Sequence, residues 1–131
     1  MGKITSHLGN ALYQVDIQSD SGNRIVADEP VELGGANSGF SPDELLRAAL
    51  AACTTATLRM YADRKGWDLQ GVDLKLDFVW DKELLKTTIS REIHLTGNLD
   101  EAQKERLLGI ANLCPIHKVL SNPVEIKTSL N

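Results

Sequence analysis

The sequence predicts an α+β fold in which antiparallel strands pack around one long, buried central helix. Three observations carry this. Residues 41–66 have the punctuation and composition of a single helix. The segments on either side alternate apolar and polar residues with the period of two that a half-buried strand requires. A second, amphipathic helical pattern then appears late in the chain.

The long helix is marked at both ends. Ser41 suits the cap, Pro42 the first helical position, and Glu44 stands three residues after the cap, as a capping box requires. Arg64 and Lys65 fall in the last turn and Gly66 just beyond it. The helix is then about 24 residues and roughly 36 Å long. No charge occurs over residues 48–58, so burial on every side is expected. Cys53 lies near its middle.

Ahead of the helix, residues 3–7, residues 12–17 and Arg24–Ala27 read as three short strands, the last two joined by a polar turn over 19–23. Residues 28–39, with Pro30, Gly34, Gly35 and Gly39, form a loop longer than most connections, a length that marks function or contact with another chain. Beyond Gly66 the period switches to two. Residues 72–80 place Val72, Leu74, Leu76 and Phe78 on one face, and residues 86–95 answer with Thr87, Ile89, Arg91, Ile93 and Leu95. These two runs make a hairpin through residues 81–85. Residues 100–113 follow as a helix that buries Leu107, Ile110 and Ala111 and exposes Glu101, Lys104 and Glu105. Pro115 breaks it. A short helical piece, Pro115–Leu120, and a final strand over 124–129 complete the chain.

The chain of 131 residues is expected to form one domain over 1–131. Its net charge of −4 argues against nucleic acid as the main partner. No apolar run is long enough to span a bilayer, and the first ten residues lack the apolar core of a signal peptide. A cytoplasmic location is the expectation. There, two cysteines read as redox, catalytic or metal residues rather than as a structural disulfide.

Cys114-Pro115-Ile116-His117 puts a thiol at the cap of the short helix, where free amides stabilise a thiolate, with His117 one turn along as a cation or proton carrier. The plainer reading makes Cys114 a poor cap, His117 a surface residue and Cys53 inert packing. Zinc needs three or four ligands, and the C-x-x-H pair reaches three only with Cys53. Neither a G-x-S-x-G nucleophile turn nor a phosphate-binding glycine loop occurs.

Ala27-Asp28-Glu29-Pro30, Leu33-Gly34-Gly35, the run from Ser41 to Cys53 and the late Cys114-Pro115-Ile116-His117 together resemble the OsmC-like proteins over essentially the full length. The resemblance implies an intertwined homodimer with active sites at its interface, working without a cofactor as a thiol-dependent peroxidase on organic hydroperoxides. It assigns attack on the peroxide to Cys53, which becomes a sulfenic acid, and closure of an intramolecular disulfide to Cys114; an external dithiol restores the pair. It also implies a helper arginine ahead of the central helix and a carboxylate directly after the helix-start proline. Arg24 is the arginine available there. Asp43 occupies the carboxylate position, with Glu44 next to it, and Glu44 also has a structural explanation in the capping box. Arg47 and Arg59 read as solvated or paired helix residues.

Helix geometry adds a constraint. Glu44 and Cys53 are about 13 Å apart along a straight helix and roughly half a turn around it, so a carboxylate serving Cys53 must come from a second chain. Helix-end physics favours Cys114 as the activated thiol, whereas the resemblance favours Cys53, a mid-helix thiol that burial would push up unless a cation stood beside it. Two other readings remain: an apolar-ligand binder with idle cysteines, and a redox sensor that oxidises without turning over.

Overall fold

The computed structural model describes residues 2–131 and divides the chain into two compact units, Met1–Leu46 and Arg47–Asn131. In the first unit, β1 (Ile4–Leu8), β2 (Val15–Ser19) and β3 (Arg24–Ala27) form an antiparallel meander in chain order. Ile17 sits opposite both Ser6 and Ile25. The second strand starts later than the alternation suggests, because residues 10–13 are taken up by bends and turns.

The loop over 28–39 is organised by one side chain. Asp28 is 2% exposed. Its carboxylate accepts the amides of Tyr13, Glu29, Ala36 and Ser38 at 3.1, 2.8, 3.1 and 3.0 Å, and the Ser38 hydroxyl at 2.7 Å. The Ser38 hydroxyl and amide bonds hold the carboxyl well below its ordinary range, against the opposing push of burial. A side chain at Gly35 would run into the Glu29 carbonyl, and one at Gly39 into that of Val26, so the glycines permit the close approach. Val31–Leu33 adds a single 3-10 turn.

The long helix α1 (Pro42–Lys65) begins in the first unit and runs on through the second. At its start Glu44 accepts the Ser41 amide at 2.9 Å. Its buried residues are Leu50, Thr54, Leu58 and Ala62, one stripe at four-residue spacing. All-round burial is thus not seen within the chain. The other sides carry mostly alanine and threonine, which are small enough to face water at little cost.

The second unit continues with β4 (Asp68–Asp81) and β5 (Lys86–Asn98), a two-stranded antiparallel hairpin longer at its open end than the alternation indicates. Then come α2 (Glu101–Ala111), closed by a capping box between Asp100 and Gln103, and α3 (Pro115–Leu120). Leu58 and Ala62 of α1 meet Leu69, Leu99, Leu107 and Ile110 in the core. The strand expected over 124–129 does not form, and Val124 and Ile126 are exposed. Alternation describes what a strand would bury; a strand also needs a partner, and no strand pairs with this segment. Among the described residues no helix is long and apolar enough to cross a membrane.

Candidate functional site

The site is built from adjacent positions of α1. Successive helical residues point about 100° apart, so Thr54 is fully buried while its neighbour Cys53 is half-buried at the edge of the stripe. The Thr54 hydroxyl donates to the Leu50 carbonyl one turn back at 2.7 Å.

Cys114 arrives from the other end of the sequence. α2 stops at Ala111, and Pro115 opens α3, leaving Cys114 extended at the junction as its N-cap. Its sulfur accepts the His117 amide at 3.2 Å and lies 3.8 Å from the Thr54 hydroxyl. The Cys53 thiol stands beside it and favours its ionised form. Cys114 is fully buried, with no exposed surface.

Arg91 comes in on the otherwise apolar face of β5, between Ile89 and Ile93. One guanidinium nitrogen donates to Thr54 Oγ1 at 2.9 Å; the other donates to Asn112 Oδ1 at 3.0 Å and meets His117 Nδ1 at 3.1 Å. A guanidinium cannot accept, so His117 is neutral here, with Nδ1 as acceptor and its proton on Nε2. Burial pushes the Cys114 thiol up. The His117 amide, the Cys53 thiol, the Thr54 hydroxyl and the Arg91 charge outweigh it, and the balance lies below the ordinary thiol value. A cleft of about 430 Å³ opens beside the cluster, with Leu50, Ile89, Ile93 and Leu108 on its walls and Arg91 and His117 among its polar groups.

This arrangement can hold one sulfur as an anion next to a second sulfur that solvent reaches. It brings together three sequence-predicted residues, Cys53, Cys114 and His117. Arg24 lies exposed on β3 and Glu44 in the first turn of α1, both in the first unit. Thr54, Arg91 and Asn112 were not singled out as site residues by sequence reasoning. The available signal was Arg91 itself, a charge on the inward face of an alternating strand. Among the described residues no group of three or more His, Cys, Asp or Glu side chains is placed to hold a metal ion.

Comparison with known proteins agrees with the architecture. The solved structure of an OsmC-like protein from Mycoplasma pneumoniae is similar to this chain with a TM-score of 0.77 at 22% identity, covering 92% of this chain and 87% of that one. An organic hydroperoxide resistance protein from Legionella pneumophila gives 0.68 at 24%, covering 92% and 88%. The organic hydroperoxide resistance protein OhrB of Bacillus subtilis gives 0.63 at 22%, covering 97% and 95%. At these identities the likeness speaks for the fold. No curated protein sequence matches the chain. The sequence profile of the family described as OsmC-like protein matches residues 35–129, from the end of the Asp28 loop through the thiol pair and almost to the last residue. This chain therefore belongs to the OsmC-like family.

Proposed function

We propose that the chain is a thiol-dependent peroxidase that reduces organic hydroperoxides. One observation carries the reading: two cysteines 61 positions apart in the sequence are brought side by side, and the more enclosed one is favoured as a thiolate. The half-buried Cys53 is the sulfur a peroxide can reach. Its thiolate attacks the terminal peroxide oxygen, the O–O bond breaks, and the alcohol leaves with a proton from the site. The resulting sulfenic acid is attacked by Cys114, which displaces its hydroxyl as water and closes a disulfide. An external dithiol supplies two electrons, reopens that bond and leaves as its own disulfide. The names of the Legionella and Bacillus relatives point the same way.

The same reading takes the chain as one domain of a cytoplasmic homodimer, with Glu44 and Arg24 serving Cys53 of the partner chain. Support comes from the helix arithmetic and from the exposed side of α1 formed by Ala49, Ala52, Ala56 and Met60. Sedimentation of a monomer with full activity would sink the shared site.

The test is consumption of cumene hydroperoxide under excess dithiothreitol. The wild type should turn over many times, Cys53→Ser should lose at least about a hundredfold in rate, and Cys114→Ser should stall after one oxidation. Consumption that survives Cys53→Ser overturns the assignment. Absence of turnover in the wild type moves the weight to the cleft as a binding site for an apolar ligand, which Cys53→Ser would leave intact.

A further inference from the structure

Arg91 is a half-buried cation whose three hydrogen-bond partners, Thr54, Asn112 and His117, are all neutral. No Asp or Glu lines the cleft it faces. The titratable groups around it are Cys53 from α1, His117 from α3 and Cys114 at the junction. A half-buried cation with only neutral partners favours an anion that forms beside it, and the Cys114 thiolate is one the site can form.

The connection to sulfur runs through Thr54. A hydroxyl has one proton and two lone pairs. Arg91 fills one lone pair, which polarises the O–H and biases Oγ1 towards donating. In the thiol form the Thr54 proton goes to the Leu50 carbonyl, already served by the helix. When Cys114 loses its proton, the Thr54 hydroxyl can turn towards the sulfur 3.8 Å away. Asn112 and the neutral ring of His117 hold the guanidinium in this alignment.

We propose that Arg91 is the positioning cation of the thiol pair: acting through Thr54, and aligned by Asn112 and His117, it holds Cys114 as the thiolate that closes the disulfide on Cys53. The inference rests on the peroxidase reading for its place in a cycle, but the charge it describes does not depend on turnover. It also fixes where the dithiol enters. The incoming thiolate bonds to the Cys53 sulfur, the S–S bond breaks, and the electron pair goes to Cys114, because the better-stabilised thiolate is the better leaving group.

The experiment is a pH titration of ultraviolet thiolate absorbance in the full chain carrying Cys53→Ser, so that Cys114 is the sulfur observed. Adding Arg91→Gln should raise the midpoint by about one pH unit, roughly a tenfold loss of thiolate at a given pH below the midpoint. Thr54→Val should raise it less, and Arg91→Lys should recover part of the loss. An unmoved midpoint in Arg91→Gln overturns the proposal, as does Arg91→Lys titrating like Arg91→Gln. If Arg91→Gln does not fold, an unmoved midpoint in Thr54→Val overturns it instead. Since no peroxide is present, failure of the peroxidase reading would show as absent hydroperoxide consumption with the titration result intact.

Discussion

Asp28 of the first unit and Arg91 of the second are both charged side chains held by several hydrogen bonds, and they differ in how completely they are answered. Asp28 has five donors on two oxygens, four of them backbone amides. Four of the donors belong to the loop itself and the fifth is the Tyr13 amide. Arg91 has only neutral acceptors and stands one hydroxyl away from the Cys114 thiol. A fully answered charge is scaffolding; a charge left without a counter-ion is available for one that appears later. Polar burial alone would not separate the two regions, but counting what each group still lacks does.

The contrast can be broken most directly at Asp28. Asp28→Ala strands three amides and a hydroxyl in the loop, and the Tyr13 amide beside it, and should lower the melting temperature by on the order of 10 °C. The thiolate titration of the second unit should not move; a parallel shift in that titration would show that the carboxylate is not merely scaffolding. Acid offers a gentler version. The Asp28 carboxyl is depressed in the folded chain, so its contribution to stability is fully present above the unfolded carboxyl value near 4 and is lost as pH falls towards the folded value. Melting temperatures measured downward from pH 5 should therefore fall in the wild type more steeply than in Asp28→Asn.

Arg91 should behave in the opposite manner. Arg91→Met removes a charge that lacked a counter-ion, and Thr54 keeps its bond to Leu50, so the stability change should stay within about 1 kcal/mol in urea unfolding. A loss of several kcal/mol would make Arg91 structural. The smallest effect belongs to Arg59, ion-paired to Asp63 at 3.0 Å with both side chains more than half exposed. Arg59→Ala should cost at most about 0.5 kcal/mol by the same measurement. A larger value would mean that its second bond, to the Leu69 carbonyl at 2.8 Å, matters more than the ion pair.

Much of the fold was legible because its elements carry local punctuation. Pro42, Glu44 and Gly66 bracket α1, and Cys114-Pro115 opens α3 where the cap and first-turn rules put it. Leu107, Ile110 and Ala111 are buried as their spacing requires. Two expectations failed for physical reasons. A charge-free stretch of α1 reads as enclosed on all sides, yet alanines tolerate water and only every fourth residue is buried. Val124 and Ile126 alternate like strand residues, yet no edge pairs with them.

The thiol pair was half legible. Both cysteines and His117 stood out by their contexts. Arg91 did not, although it lies in the strand pattern, because the family resemblance points to an arginine ahead of the central helix. The meeting of residues 54, 91, 112 and 117 is set by how a hairpin and three helices pack, which no spacing in the sequence encodes.

The distance between the cysteines along the chain has a thermodynamic consequence. A bond from Cys53 to Cys114 would close a loop of 61 residues. On the chain-entropy account, closing a loop of that size removes about 4 kcal/mol worth of freedom from the unfolded ensemble. Oxidant and fold are then coupled as a ligand is coupled to the state it binds. The oxidised chain should outlast the reduced one on heating, and unfolding should make the bond easier to reduce. One covalent link would thus couple the end of a catalytic cycle to the endurance of the molecule that runs it.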